Sequence, residues 1–341
     1  MTASTDIADT LLNWYDAHAR ALPWRAIPGA PPPDPYRVWL SEVMLQQTTV
    51  AAVKPYFAKF VATWPTVDAL AAAEEAEVMA AWAGLGYYSR ARNLIKCAAV
   101  VAELGRFPDT EAELRKLPGL GAYTAAAVAA IAFGQRAVVI DANVERVVAR
   151  LFAIAEPLPQ GRKAIRSRAD AITPSERAGD FAQAMMDLGA TICTARGPRC
   201  LLCPLSKHCA GRRLGDPERL PVKPPKKVRP ERRGTAFCIL RDDAIWLVRR
   251  EGTGLLGGMR ALPDDGWTAR DDGDGQPPIV AEWRDCGAVS HGFTHAQLTL
   301  SVLATDTAKA PAGEGQWWPV SQIDEAGLPT VFAKAARLAL L

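Results

Sequence analysis

Apolar residues recur at helical spacing through the first part of the chain. Helices are predicted over 6–21, over most of 66–106 and twice within 162–192. A further helix is predicted from Asp34-Pro35, because an acid at the cap followed by proline at the first helical position is typical of a helix start. This part of the sequence therefore predicts an all-α domain.

The period of the pattern changes from helical to alternating in the last part of the chain. Residues 236–240 and 245–248 predict a β-hairpin, and the apolar residues of 298–302 alternate as in a half-buried strand. A final helix is predicted over 330–341. The second part of the sequence therefore predicts a smaller α/β domain.

A basic, proline-rich segment separates the two patterns. Between Gly211 and Gly234 the chain carries nine Lys or Arg and three Asp or Glu, a net charge of +6, whereas the whole chain carries +3. Five prolines interrupt this segment, so an extended linker is predicted there. The predicted fold class is α + β with two domains: an all-α domain over 1–211, a linker over 212–234 and the α/β domain over 235–341.

Composition agrees with two globular domains and with the absence of a membrane segment. The 341 residues are 49% hydrophobic, which is enough for two cores. The sequence has no run of 18 apolar residues, and its first residues, MTASTDIADTL, are polar. A cytoplasmic location with no membrane partner is expected.

The stretch 117–148 carries the first candidate chemistry. Gly119 and Gly121 flank one apolar residue in a tight turn before a helix, and such a turn can aim backbone N–H groups at an anion such as a phosphate. A lone G-x-G is more often an ordinary turn between helices. The next predicted helix starts at Asp141, where an aspartate is also a common helix cap.

Glu42 is a second candidate. It lies in line with Val38 and Leu45 on the helix that follows Pro35, on an apolar face. Burial there would raise the pKa of its carboxyl and let it hold a proton near neutral pH, as a general acid requires. From periodicity alone, a glutamate at the exposed edge of the helix is the commoner case.

Four of the seven cysteines lie close together, with the spacing C-x6-C-x2-C-x5-C. They are Cys193, Cys200, Cys203 and Cys209. In a cytosolic protein such a cluster indicates metal ligation and not disulfides. Four thiolates suit either zinc or an iron–sulfur cluster.

Together these motifs resemble the helix-hairpin-helix DNA glycosylase superfamily, in which a Gly/Pro-rich loop is followed by an obligatory aspartate. The resemblance is carried by the four cysteines and by LPWR (22–25), EVMLQQTTV (42–50), GLGYYSRARN (84–93), LPGLGAYT (117–124), VIDANVERV (140–148), GGMRALP (257–263) and SHGFTHAQL (290–298). Within the superfamily the chain is similar to the MutY family, which removes adenine mispaired with 8-oxoguanine or guanine. That likeness implies a helix-hairpin-helix glycosylase domain with an iron–sulfur loop, followed by a Nudix-like recognition domain.

The resemblance also implies roles for individual residues. Glu42 corresponds to the family's proton donor and Asp141 to its transition-state stabiliser, while Tyr123 and Asn143 match residues that support these carboxylates. The uneven cysteine spacing matches one [4Fe-4S] cluster. Bifunctional relatives carry a lysine at position 123, which attacks the sugar and then cuts the strand. Tyr123 cannot form an imine, so the predicted enzyme is monofunctional and leaves an abasic site.

Several residues are implied to bind DNA. Gln46, Gln47 and Tyr87 match the family's wedge residues, which fill the space left by a flipped base. Arg90, beside Tyr87, suits pairing with a phosphate. Gly119 and Gly121 form the hairpin. The expected partner is double-stranded DNA with an adenine mispair, bound by a monomer that is associated with the nucleoid in a prokaryote.

The second domain is implied to recognise the lesion. Phe293, Thr294 and His295 resemble a Phe-Ser-His loop that recognises 8-oxoguanine, with threonine in place of serine. The pair Ser290-His291 is close enough to be an alternative assignment. The Nudix box and its metal ligands are absent between 257 and 278, so recognition without pyrophosphate hydrolysis is expected there.

Two other functions remain open at this level. The first is an endonuclease III-like lyase that acts on oxidised pyrimidines, which Tyr123 and the second domain disfavour. The second is a non-catalytic iron–sulfur protein that binds DNA or senses redox state. It would explain the cysteines and the basic linker, but it leaves Glu42 and Asp141 without a role.

Overall fold

The computed structural model describes residues 3–224, 228–250, 255–293, 296–307 and 309–341. The chain divides into two compact units, one made of Met1–Ala72 and Asn93–Pro225 and the other of Ala73–Arg92 and Lys226–Leu341. In the described part of the chain, no helix has both the length and the apolar character that crossing a membrane requires.

Helices account for all the long elements of residues 3–224, as the sequence predicts. They are α1 (Ala3–His18), α2 (Pro35–Leu45), α3 (Val50–Thr63), α4 (Val67–Ala71), α5 (Glu75–Trp82), α6 (Ser89–Leu104), α7 (Glu111–Leu114), α8 (Ala122–Phe133), α9 (Ala142–Leu151), α10 (Arg162–Ile172), α11 (Ala178–Thr191) and α12 (Ala210–Arg213). The predicted first helix, 6–21, starts earlier and ends at His18, because the chain then turns toward Pro23, which cannot continue a helix. The start of α2 agrees with the prediction, since the Asp34 carboxylate accepts the backbone N–H of Tyr36 at 2.8 Å.

The central helix of the first unit is α8, in which every residue from Thr124 to Ala132 is buried. Its small side chains let other helices approach closely, and α2, α7 and α11 pack against it. A Cβ atom added to Gly179 of α11 would lie 2.4 Å from the carbonyl oxygen of Ala130. Gly134, with φ of +66°, ends α8 in the left-handed conformation that glycine adopts readily.

In the part of the chain that the structure describes, the second unit is built on a six-stranded sheet. Its strands are β1 (Glu231–Arg241), β2 (Ala244–Arg249), β3 (Arg260–Ala261), β4 (Arg284–Gly292), β5 (Gln297–Asp306) and β6 (Gly315–Pro319). The strand order is β3-β2-β1-β5-β4, with β6 also paired to β2. The predicted hairpin is the β1–β2 pair, and β1 is parallel to β5.

The core of the second unit lies between the sheet and α13 (Thr330–Ala339), which packs on β1, β4 and β5. Trp267 and Phe332 are fully buried there. A Cβ atom on Gly234 would lie 2.4 Å from the Trp267 ring, so the strand needs glycine at that position. The final helix ends at Ala339, two residues before the predicted end.

The predicted α + β class, with a helical domain followed by a smaller domain that contains a sheet, is confirmed. The predicted domain boundaries at 211 and 234 stay a prediction. The segment Ala73–Arg92, which the sequence pattern places in the helical domain, groups with the second unit. Within that unit the Arg92 side chain donates to the carbonyl oxygen of Gly257 at 2.6 Å.

Candidate active site

A buried carboxylic acid lies at the centre of the candidate site. Glu42 lies in the last turn of α2 and is only 5% exposed, so its predicted position on an apolar face leads to burial. The Tyr123 hydroxyl, in the first turn of α8, donates to Glu42 Oε2 at 2.5 Å. The pKa of Glu42 is raised to about 7, chiefly by burial and also by the nearby Asp141 charge, against the opposing effect of the Tyr123 hydrogen bond. Glu42 can therefore hold a proton at neutral pH and release it.

Tyr123 is a hydrogen-bond donor and not a base in this site. Burial, followed by the charges of Glu42 and Asp141, raises its pKa well above the ordinary value. The phenol therefore stays neutral and keeps its proton for Glu42. Because a tyrosine side chain has no amine, it cannot attack a sugar carbon to form an imine.

Asp141 is held by two hydrogen bonds at the N-terminus of α9. Its Oδ1 accepts the backbone N–H of Val144 at 2.7 Å, and its Oδ2 accepts the side-chain amide of Asn143 at 2.8 Å. The positive end of the helix dipole lies at the same place and favours a negative charge there. Asp141 is thus the helix cap that the sequence allows, and the cap places an oriented carboxylate in the same cavity as Glu42.

A chain of hydrogen bonds leads from Asp141 toward the cysteine loop. Arg146 donates to Asn143 Oδ1 at 2.9 Å and to the carbonyl oxygen of Cys193 at 2.8 Å. It also donates to the carbonyl oxygen of Gly189 at 2.7 Å. The same arginine therefore fixes the amide that orients Asp141 and the backbone of the first cysteine.

The cavity around the two carboxyl groups is lined by α2, α8 and α11, by the N-terminal ends of α3 and α9, and by the segments that join α1 to α2 and α2 to α3. The lining residues are Arg20, Leu22, Trp24, Arg25, Val38, Ser41, Glu42, Leu45, Thr48, Thr49, Val50, Tyr123, Ile131, Asp141, Asn143, Gln183, Met186 and Ala190. It combines apolar walls with a few oriented polar groups, as small-molecule sites do. The four predicted catalytic residues, Glu42, Asp141, Tyr123 and Asn143, all line this one cavity.

Sequence reasoning missed a charged cluster at the cavity wall. Asp187 is fully buried, and its carboxylate contacts Arg20 Nε at 2.6 Å and an Arg25 terminal nitrogen at 2.7 Å. Arg25 in turn lowers the pKa of Glu42 by its charge, although less than Tyr123 does. The available signal was a lone aspartate among apolar residues of a helix, because a charge at such a position needs a partner.

The hairpin and two of the predicted DNA-binding residues lie together on an open groove next to the cavity. Gln46 and Gln47 line it together with Gly119 and Gly121. The Gln46 amide donates to Thr124 Oγ1 at 2.9 Å. Gln47 has φ of +57° and Gly119 φ of +77°, and strained backbone of this kind in a non-glycine residue such as Gln47 is concentrated at functional sites.

Tyr87 and Arg90 lie in the second unit. Tyr87 is 44% exposed and has φ of +49°. The Arg90 guanidinium stacks on the rings of Tyr87 and Trp82, 5.3 and 5.4 Å from the ring centroids. It also donates to the carbonyl oxygen of Leu85 at 3.2 Å, and burial lowers its pKa to about 10. In this conformation Arg90 holds the loop that presents Tyr87.

The four predicted cysteine ligands line one small cavity, together with Arg150 and Arg212. Their thiols are not paired in disulfides. Within the described part of the chain, no group of three or more His, Cys, Asp or Glu side chains is arranged to hold a metal ion. The four-cysteine loop itself is present, and it connects α11 to α12.

The surroundings of the sulfurs fit a thiolate-bound, negatively charged cluster. Arg150 is 2% exposed, and one of its terminal nitrogens lies 3.4 Å from Cys193 Sγ. The same side chain donates to the carbonyl oxygens of Thr194, Ala195 and Leu220 at 2.7–3.0 Å. The backbone N–H of Arg212 lies 3.4 Å from Cys209 Sγ. A buried cation and N–H donors beside sulfur both stabilise negative charge there.

The predicted lesion-recognition loop is described only in part. Phe293 is half-buried, 4.6 Å from the His291 ring and 5.9 Å from the Trp267 ring, and its N–H donates to the carbonyl oxygen of Ala296. Thr294 and His295 lie outside the described residues. In the alternative pair, Ser290 Oγ accepts the Gln297 amide at 2.8 Å, and burial lowers the pKa of His291.

Two family models match the chain, one for each part. Residues 40–172 match the HhH-GPD superfamily base excision DNA repair protein, and residues 235–338 match a NUDIX domain. The first match includes Glu42, Tyr123 and Asp141 but not the four cysteines. The second begins next to Gly234 and ends within α13.

Curated relatives extend the similarity over most of the chain. A human adenine DNA glycosylase is 34% identical over 98% of this chain and 74% of its own length. The adenine DNA glycosylase of Mycolicibacterium smegmatis is 45% identical over 61% of this chain and 70% of its own length. That of Mycobacterium tuberculosis is 44% identical over 64% of this chain and 71% of its own length.

Solved structures are similar to the helical part. A thermostable thymine-DNA glycosylase is 30% identical, with a TM-score of 0.54, and the similarity covers 62% of this chain and 97% of that one. A non-covalent endonuclease III–DNA complex is 26% identical, with a TM-score of 0.51, over 63% of this chain and 100% of that one. The second of these proteins is bound to DNA.

Proposed function

Since this chain belongs to the adenine DNA glycosylases, within the HhH-GPD superfamily of base excision DNA repair proteins, we propose that it removes adenine paired with 8-oxoguanine or guanine and leaves an abasic site. The enzyme class itself, an adenine-excising DNA glycosylase, agrees with the function expected from the sequence. The observation that carries the proposal is Glu42, a buried acid with a pKa of about 7 that shares its cavity with Asp141.

The two carboxyl groups divide the chemistry between them. Neutral adenine is a poor leaving group, so a proton delivered by Glu42 to N7 weakens the bond between C1′ and N9. The sugar then develops positive charge, which the Asp141 carboxylate stabilises. Once it has given up its proton, Glu42 can activate the water that attacks C1′. Asn143 and the Val144 N–H keep Asp141 oriented throughout.

The enzyme is proposed to be monofunctional. Strand cleavage by a Schiff-base route needs an amine that attacks C1′. Tyr123 occupies the position that would carry this amine, and its hydroxyl is engaged by Glu42. The product is therefore an intact strand with an abasic site.

Adenine has to leave the duplex to reach the cavity. We assign Gln46, Gln47 and Tyr87 to the space that the flipped adenine vacates, where they offset the loss of stacking. We assign the hairpin with Gly119 and Gly121 to the binding of a DNA phosphate. Phe293, Thr294 and His295 are assigned to recognition of 8-oxoguanine. The proposed partner is duplex DNA with an adenine mispair, which a monomer of the protein binds. In a prokaryote the protein would bind this DNA in the cytoplasm, at the nucleoid.

A [4Fe-4S] cluster is proposed as the resident cofactor. Cys193, Cys200, Cys203 and Cys209 line one cavity and would hold it, with Arg150 beside one of the sulfurs. Because protein thiolates would occupy all its ligand positions, such a cluster supplies structure and charge to the loop, and not bond breaking. An ordered loop would in turn keep Asn143 in position, because Arg146 donates hydrogen bonds both to the Cys193 carbonyl oxygen and to Asn143 Oδ1.

The test is base release from defined duplexes. Purified protein is incubated with duplexes that carry adenine opposite 8-oxoguanine, guanine or thymine, and the strands are analysed with and without hot alkali. We expect breaks at the adenine only after alkali, formed fastest opposite 8-oxoguanine. Breaks without alkali would contradict the monofunctional assignment, and equal rates on all three duplexes would contradict the proposed substrate.

A further inference from the structure

One wall of the groove beside the active-site cavity has no role in the chemistry proposed above. Tyr123 and Asp141 line the groove as well as the cavity, and the hairpin glycines line the groove too. A DNA strand that presents its base to Asp141 and its phosphate to the hairpin therefore has to run along this groove. The first part of α10 also lines this groove.

Two arginines of α10 line the groove. Arg162 and Arg166 are one helical turn apart, so their side chains leave the same face of the helix. Ile165 lies between them in the sequence and is 1% exposed, which fixes the rotation of α10 about its axis. Both arginines are exposed, and the Arg162 side chain is 64% accessible.

The charges on the groove show why cations are needed there. Asp141 and Glu145 bring two carboxylates to a surface that has to accept a polyanion. Among the described residues that line the groove, Arg162 and Arg166 are the cationic side chains, so they cancel this charge. Glu145 is only 16% exposed and contacts Arg162 Nε at 2.9 Å. Without the arginines, the groove would repel phosphate.

We propose that Arg162 and Arg166 form a second phosphate-binding wall, which holds a DNA strand against the hairpin. Glu145 is the positioning residue for Arg162: it binds Nε, and we assign the two terminal guanidinium nitrogens to a phosphate. Arg166 binds a phosphate one helical turn further along the wall. The inference rests on the proposed function, because it takes the strand that enters the active site as the ligand.

The test measures how DNA affinity depends on salt. Full-length protein is titrated into fluorescently labelled duplex at several NaCl concentrations, once with an adenine–8-oxoguanine pair and once with a fully matched duplex. Arg162→Ala and Arg166→Ala should each weaken binding on the order of tenfold at low salt. Each should also reduce the slope of log K against log salt by about 1, on both duplexes.

Two control variants remove a positive charge outside the groove or keep the positive charge within it. Lys163→Ala removes an exposed cation from α10 that does not line the groove, and it should leave the slope unchanged. Arg166→Lys keeps the charge and should retain the slope of the parent. Unchanged slopes in both arginine-to-alanine variants, or an equal reduction in Lys163→Ala, would overturn the proposal. Circular dichroism spectra and melting curves show whether each variant is folded.

A double variant separates phosphate binding from simple neutralisation of Glu145. In Glu145→Gln/Arg162→Ala the carboxylate charge is gone together with the arginine. If Arg162 contacts a phosphate, the slope stays reduced by about 1 relative to Glu145→Gln. Recovery of the Glu145→Gln slope would overturn the assignment of Arg162.

The proposed function and this inference can fail separately. If the arginine variants lose slope as expected but the parent protein releases no adenine, the proposed function fails and the arginine wall stands as a DNA-binding surface. If the parent releases adenine and the arginine variants bind as it does, the wall fails and the proposed function stands.

Discussion

Glu42 and Asp141 are both carboxylic acids in one cavity, yet their surroundings suit them to different tasks. Glu42 is buried in a helix, and its pKa is raised to about 7. Asp141 accepts two hydrogen bonds at a helix N-terminus, where a negative charge is favoured. This division into proton donor and cation stabiliser is the one that hydrolysis of a glycosidic bond requires.

At the scale of the residue, Glu42→Gln tests the proton donor. The amide has nearly the same shape and can still accept a hydrogen bond from Tyr123, but it cannot give a proton to adenine. We expect the single-turnover rate of base release to fall by a factor of 10² to 10⁴, with DNA affinity retained. A Glu42→Gln protein that still releases adenine at the parent rate would contradict the role.

The pH profile tests the same group without changing the protein. Glu42 has to be protonated to act, so the single-turnover rate should fall as pH rises through about 7. The Tyr123 hydrogen bond lowers the pKa of Glu42 and the Asp141 charge raises it. Tyr123→Phe should therefore move the alkaline limb to higher pH, and Asp141→Asn should move it to lower pH in whatever activity remains. A limb that stays in place in both variants would exclude Glu42 as its origin.

At the scale of the element, the contact between α9 and α11 sets the position of Asn143. A Cβ atom on Gly189 would lie 2.6 Å from Asn143 Cβ, so Gly189→Ala has to push α9 or α11 aside. We expect a loss of stability of about 1–3 kcal/mol. Asn143 should also move away from Asp141, and the single-turnover rate of the folded protein should fall well below that of the parent.

Gly179→Ala is the matched control for this prediction. It is on the same helix and equally crowded, with a Cβ atom 2.4 Å from the Ala130 carbonyl oxygen. It faces α8 and not Asn143, so it should lower the melting temperature and leave the rate of the folded fraction near that of the parent. Equal rates in the two variants would mean that the α9–α11 contact does not position Asn143.

The cysteine loop depends on one buried arginine of α9. Arg150→Ala would leave the carbonyl oxygens of Thr194, Ala195 and Leu220 without their donor, at about 1–3 kcal/mol for each buried group that stays unsatisfied. We expect a lower melting temperature and less iron and sulfide per chain. Arg212→Ala is the control, because its contact to Cys209 is made by the backbone N–H. Full iron content in Arg150→Ala would show that the loop does not need it.

At the scale of the whole molecule, bond breaking and lesion preference are assigned to different units. His295→Ala should reduce the preference for adenine opposite 8-oxoguanine over adenine opposite guanine. The rate on the guanine duplex should stay unchanged, since Glu42 and Asp141 are untouched. His291→Ala is the alternative assignment and should leave the preference intact. The measurement is the ratio of the single-turnover rate on the 8-oxoguanine duplex to that on the guanine duplex. A reduced ratio in His291→Ala with an unchanged ratio in His295→Ala would assign recognition to Ser290-His291 instead.

The sequence by itself determined the fold class and the enzyme family, and it predicted as catalytic four residues that the structure brings to one cavity. Each of these depends on local order: the period of apolar residues gives the elements, and Asp141 lies in the same stretch of the chain, 117–148, as the hairpin. From the apolar pattern alone, Glu42 could be a glutamate at the edge of its helix. The likeness to known motifs is what predicts that Glu42 and Tyr123 act together, as a proton donor and a residue that supports it. The comparisons confirm the family and the fold class.

Only the tertiary structure decided which distant side chains join this centre. Asp187 is 162 residues beyond Arg25 in the chain, and Arg146 reaches Cys193 across 47 residues. Such partners leave no local pattern, because a buried charge needs only an opposite charge in space and not at any particular spacing. The pKa of Glu42 is likewise a property of the packed cavity, since burial makes the largest contribution to its shift.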